Sequence, residues 1–195
     1  MLQVPNGFHL ELLPMNATPL PAEWLALAQR LMPDVHPHRQ REWAYARLAL
    51  ARALATLQMS LTPENYHAEG FQKLRTFSVR FSLSHTKNWV AALATAPATA
   101  AGFGVDIEEQ TRRISPDVEG RMLNSADTPE LSPLQRWALK EAAFKALSEE
   151  EQQGIWLNNL AISSTGEVHL KEKLLGNWQV VPHHDLIIGI VTRPR

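Results

Sequence analysis

Two acids stand two residues apart in the segment Ala101-Gly-Phe-Gly-Val-Asp106-Ile-Glu108. In a strand, side chains at i and i+2 share a face. Asp106 and Glu108 then project together, while Val105 and Ile107 turn into a core. Like charges side by side repel, and a hard cation such as Mg²⁺, bound through oxygen ligands, relieves that cost. The same spacing also describes an exposed strand face carrying two solvated acids. Gly102 and Gly104 lie just upstream. They either admit a close backbone or ligand, or mark a bulge.

A second group is Trp137-Ala-Leu-Lys140-Glu141-Ala-Ala-Phe-Lys145. On a helix, Glu141 and Lys145 are one turn apart. An ordinary surface salt bridge fits that spacing. Trp137, Ala138, Ala142 and Phe144 suggest instead a well-buried helix, in which an acid needs a partner or a metal. Glu141 is then a third oxygen ligand, and Lys140 and Lys145 can meet a phosphate. Third is Phe81-Ser-Leu-Ser84-His85-Thr86, at the end of an extended run. Its hydroxyls and imidazole either hydrogen-bond within the fold or offer donors to phosphate oxygens. Last is the basic cluster His36-Pro-His38-Arg39-Gln-Arg41. It reads as a solvated basic helix face, or as anion-attracting residues near a helix N-terminus.

Three acids for a cation and several bases for phosphates suit metal-assisted phosphoryl or phosphodiester chemistry. A Walker A glycine run is absent, which argues against a P-loop nucleotidase. So is the Gly-x-Ser-x-Gly elbow of the α/β-hydrolases.

The elements that must position these residues follow from pattern. Phe8 to Leu13 alternates and reads as a strand. A short helix starts near Ala22 and ends before Pro33. Arg39 to Met59 lacks Gly and Pro and reads as a long helix, with Trp43, Leu50, Leu54 and Leu57 as its core stripe. Thr76 to Ser82 is extended, and Trp89 to Thr95 and Ala101 to Glu108 are strands. Residues 109–132 are polar and loop-like with some helix, and Pro133 to Leu147 is a second strong helix. Leu160–Ser163, Trp178–Val181 and Leu186–Thr192 are strands of the tail.

A Trp-bearing helix precedes Ser84-His85 and its following strand; another precedes Pro182-His183 and the last strand. This echo reads as two similar α+β halves, residues 1–100 and 101–195, or as chance, since helix-then-strand patterns are common. Real halves make a site between them natural.

The chain has 195 residues, 45% of them hydrophobic, enough for a substantial core. A net charge of −1 argues against a nucleic-acid binder. The absence of cysteine excludes disulfides and thiolate metal sites. Residues 1–13 do not read as a signal peptide, and no apolar run is long enough to span a membrane. A cytoplasmic protein without membrane association is the expectation.

The order Ser-Leu-Ser-His85, Gly104-Val-Asp106-Ile-Glu108 and Trp137-x-x-Lys140-Glu141-Ala-x-x-Lys145 resembles the 4′-phosphopantetheinyl transferase superfamily. Length and duplication resemble its Sfp type, not the half-length trimeric holo-acyl-carrier-protein-synthase type. The resemblance implies the fold of that superfamily: an α+β chain whose two halves form a pseudo-dimer within one monomer, with coenzyme A as co-substrate in the cleft between them. It implies that Asp106, Glu108 and Glu141 hold Mg²⁺, with Mn²⁺ an alternative. It puts His85, Ser84, Lys140 and Lys145 on phosphates, with Lys73 a further candidate, and Arg41 and Arg39 at the 3′-phosphate end. Glu141, with Lys145 and His85, would serve transfer of the phosphopantetheine arm to a serine of an apo carrier protein, releasing 3′,5′-ADP. Acyl, polyketide and peptidyl carriers all fit as acceptor. The alternative is a non-catalytic member that binds coenzyme A or a carrier protein.

The chain departs from the pattern in three places. The family commonly has Gly-Lys-Pro before Ser-x-Ser-His, where this sequence has Gly70-Phe-Gln-Lys73-Leu74. Ala138 follows the motif Trp in place of Ser or Thr, and Ala146-Leu-Ser148 replaces the Gly after the last Lys. All three acids remain.

Overall fold

The computed structural model describes residues 4–66, 80–96 and 99–195. These divide into two compact units, Val4–Thr99 and Ala100–Arg195. The fold is mixed α+β, with two sheets and, among the described residues, four α-helices.

In the first unit, β1 (Phe8–Pro14) leads to α1 (Ala22–Leu31) and α2 (Pro37–Ala55). The antiparallel pair β2 (Arg80–His85) and β3 (Trp89–Thr95) follows. The sheet order is β1-β3-β2. The long helix begins at Pro37, two residues before the pattern suggests, because proline is tolerated at the first helical position and His36 caps the turn. It ends at Ala55 rather than Met59. Its buried set is wider than a stripe: Ala44, Tyr45, Ala46, Leu48, Ala49, Leu50, Ala53 and Leu54 are all covered, and Trp43 and Leu57 only partly. The helix packs on α1 on one side and on all three strands on another. Val90, Ala92 and Ala94 of β3 and Trp24, Leu27 and Ala28 of α1 join its core.

The second unit begins with β4 (Gly102–Glu109), then α3 (Pro116–Met122) and α4 (Pro133–Lys145). A single 3₁₀ turn, Leu157–Asn159, precedes β5 (Leu160–Ile162), β6 (Glu167–Leu170), β7 (Lys173–His183) and β8 (Leu186–Arg193). The antiparallel order is β4-β8-β7-β6-β5. Each helix start is written locally. Ser115 caps α3 and Ser132 caps α4, each followed by Pro, and Ser132 forms a reciprocal capping box with Gln135.

The two units share an order of events. A strand and a long helix are followed by a hairpin whose second strand pairs with the first strand: β3 with β1, and β8 with β4.

Helix α4 lies unusually close to the sheet. A Cβ on Gly104 would come 1.9 Å from the Ala142 carbonyl oxygen, and one on Gly189 2.8 Å from Ala138. Gly102 meets the Ala146 carbonyl in the same way, at 2.3 Å. The helix answers with alanines at four-residue spacing, 138, 142 and 146, all buried. Of the two readings of these glycines, close backbone approach is the one observed.

Gly104→Ala is therefore expected to lose about 3 kcal/mol or more of stability in urea titration. Gly120 of α3 has nothing within 4 Å of its would-be Cβ. Gly120→Ala is expected to gain about 0.5–1 kcal/mol in the same measurement, because alanine restricts the unfolded chain and favours helix. Equal effects at the two positions would contradict this account of the packing.

Candidate functional site

The acids of β4 emerge on the face that the glycines open. Gly102, Gly104, Asp106 and Glu108 alternate along one side of the strand. The first two admit α4, and the last two meet its side chains. Trp137, Glu141 and Lys145 recur every four residues on the helix and form one row along it. Lys145 Nζ donates to Asp106 Oδ1 at 2.7 Å and to the Val105 carbonyl at 3.2 Å. Glu108 is bonded by Arg112, whose guanidinium lies 5.0 Å over the Trp137 ring. The Trp137 indole also bonds Glu108.

Asp106 and Glu108 are both buried. Burial raises the Glu108 carboxyl from its ordinary value; Arg112 opposes this and the Asp106 charge adds to it. Glu141 is raised likewise, first by burial, then by Asp106; Lys145 opposes this, and Glu108 raises it further. The three carboxylates thus feel one another's charge. Sequence reasoning grouped Asp106, Glu108, Glu141 and Lys145, and these four do gather. Their side chains are turned to Lys145 and Arg112, and among the described residues no three acidic, His or Cys side chains stand in metal-holding geometry.

Lys140 does not join them. It is wholly buried, and its Nζ bonds Asp127 Oδ2 and the Met122 carbonyl, each at 2.7 Å. Drawing it out to a phosphate would strand the Asp127 carboxylate in the interior, at about 3–5 kcal/mol. Asp127 also accepts from the Asn124 and Ile162 amides, so the pair ties the loop after α3 to the sheet. The expected phosphate contact at Lys140 gives way to a structural one.

The remaining candidates belong to the first unit. Ser84 is buried in β2 and His85 ends that strand, half exposed. Arg39 lies in the first turn of α2 and bonds Glu42 at 3.0 Å. Arg41 stands 5.9 Å from the Tyr45 ring, beside a recess of about 420 Å³ lined by Met15 to Leu20. Lys73 lies outside the described residues.

Sequence reasoning passed over Glu42 and Arg112. Glu42 follows His38 by four residues and Arg39 by three, a helical pairing visible in the sequence. Arg112 follows Glu108 by four across a strand end and a turn, where that spacing carries no signal. A recess of about 710 Å³ opens beside Arg112, between Ile114, Leu134, Val180 and Ile187.

Residues 102–191 match the family model of the 4′-phosphopantetheinyl transferase superfamily. That segment contains Asp106, Glu108, Glu141 and Lys145. No curated protein matches the chain. Among the described residues, no helix is long and apolar enough to cross a membrane.

The raised Glu141 carboxyl has a consequence for stability. A folded-state value above the unfolded 4.5 means that the folded chain holds this proton more tightly. Stability then falls as pH rises from 4.5 through the folded value, and the penalty is fully present above it. Glu141→Gln removes that penalty. The variant is expected to melt at a higher temperature than the parent at pH 7, with the gap closing as pH falls below 4.5. Calorimetric scans across that range check it; a variant that is less stable at pH 7 refutes it.

Proposed function

We propose that this chain transfers the 4′-phosphopantetheine arm of coenzyme A to a serine of an apo carrier protein. The reading rests on one observation above the rest. Three mutually repelling carboxylates and a lysine converge within the segment that matches the superfamily. The strand, long helix and hairpin shared by the three-stranded and five-stranded units support reading the chain as two similar halves, as in the Sfp type.

The donor set fits a hard divalent ion, Mg²⁺ or Mn²⁺, because all three groups are carboxylates. Asp106, Glu108 and Glu141 would hold it, and when bound it would supply positive charge against the pyrophosphate oxygens. Lys145 is freed from Asp106 and stabilises charge that develops on the phosphate oxygens. Glu141 accepts the proton of the carrier serine hydroxyl through a carboxylate oxygen. The serine oxygen bonds to the β-phosphorus, the bond from that phosphorus to the bridging oxygen breaks, and 3′,5′-ADP departs. In the first unit, His85, Ser84, Arg39 and Arg41 are the candidates for contact with coenzyme A phosphates. The carrier is a fatty-acid, polyketide or peptide one, and the cytoplasm is the proposed setting of the reaction.

Incubation with coenzyme A, Mg²⁺ and a panel of apo carriers is expected to add one phosphopantetheine mass to a carrier, read by intact-mass spectrometry. EDTA is expected to abolish the gain and excess Mg²⁺ to restore it. Asp106→Ala and Glu141→Ala are expected to lose transfer while remaining folded, and Lys145→Ala to slow it by roughly 10²- to 10³-fold. Near-normal turnover by either acid variant sinks the assignment. Tight coenzyme A binding with no product on any carrier points instead to a non-catalytic member.

A further inference from the structure

In the first unit, among the described residues, one buried carboxylate sits beneath an arginine and two histidines that stay largely in water. The Glu42 side chain is 9% exposed, against 55% for His38, 63% for Arg39 and 43% for His85. Arg39 Nη1 donates to Oε2 at 3.0 Å. Oε1 lies 3.5 Å from His38 Nδ1 and 3.7 Å from His85 Nδ1. Two of these partners come from the first turn of α2, and the third from the end of β2, which packs against that helix.

The contrast with Asp127 is informative. That carboxylate buries its lysine completely, as a purely structural pair does. Glu42 leaves its partners 43% to 63% exposed. A buried carboxylate that faces the Nδ1 edge of an imidazole leaves the Nε2 edge on the far side, and it holds the ring in one orientation. It also takes only one arm of the Arg39 guanidinium fork, so the other N–H groups remain for an anion. No acid stands in the first turn of α2 to oppose that anion.

We propose that Glu42 is a positioning residue that gathers His85 and Arg39 into a phosphate-binding rim. It does not touch the ligand; it fixes the rotamers of the two side chains that do. The anion is a phosphate of coenzyme A, so this inference rests on the function proposed above.

The test is Glu42→Gln, which keeps shape and removes charge, with Glu42→Asp as the charge-retaining variant. Glu42→Gln is expected to raise the KM for coenzyme A roughly tenfold. Its kcat is expected to stay within about twofold, because the transfer chemistry sits on the acids of β4 and α4. Glu42→Asp is expected to recover part of the loss. In a His85→Ala background the added effect of Glu42→Gln is expected to shrink well below its effect alone, since residues acting through one another are not additive. Titration calorimetry of coenzyme A follows the same variants, and thermal melts check that they are folded.

A Glu42→Gln protein with the parent's KM, or a fully additive double variant, overturns the positioning role. A parent protein that neither binds coenzyme A nor transfers its arm overturns the functional reading, and this inference with it. The two failures are told apart by whether the parent is active.

Discussion

The site of the second unit depends on how closely one helix approaches one strand. With any side chain at Gly104, α4 would have to lift away from β4, because the Ala142 carbonyl occupies the place of the Cβ. The contact fixes both the distance and the register between the two elements. Lys145 Cβ lies 3.0 Å from the same virtual Cβ, so the lysine is delivered beside Asp106 by backbone packing and not by its own flexibility. The alanine stripe of α4 and the glycines of β4 and β8 are two halves of one arrangement. Neither makes sense on a surface where large apolar residues would bury more area.

That proximity has an electrostatic cost. Two carboxylates on β4 and one on α4 are brought together in a partly dry place, and both glutamates are pushed up in consequence. The chain balances the charge with Lys145 on Asp106 and Arg112 on Glu108. An arrangement chosen for stability alone would place neutral groups here, since buried pairs seldom outperform apolar packing. Carboxylates kept close at a net penalty, in the segment that carries the superfamily match, mark this cluster as the candidate functional site.

Much of this was legible before the fold was known. The i, i+2 acids of β4 and the i, i+4 pair of α4 are spacings that secondary structure turns directly into shared faces. The proline near the start of α4 marked where that helix begins. What the pattern could not supply was tertiary. β6 went unseen because Glu-Val-His-Leu has no apolar run, and because the turn into β7 puts Lys171 at φ +58 without the Gly or Asn that normally marks such a position. The Arg112–Glu108 pair spans a turn, so no helical or strand period announces it. Glu42 was visible in the helical spacing, but its meaning comes from His85, which is distant in sequence and brought to it by the packing of β2 on α2.

The two lysines of α4 show why a motif cannot be read residue by residue without the helix. Lys140 and Lys145 look alike as candidates for a phosphate. Each residue turns the helix by about 100°, so Glu141 and Lys145 fall within about 40° of each other, whereas Lys140 lies about 140° from Lys145. Trp137, Glu141 and Lys145 therefore share the face that meets β4. Lys140 turns away from that face, towards Asp127 and the loop after α3. Its ion pair is buried where water cannot compensate a lost partner, which commits it to structure. The same ammonium chemistry thus has two roles on one helix, and the angular position of each residue decides which.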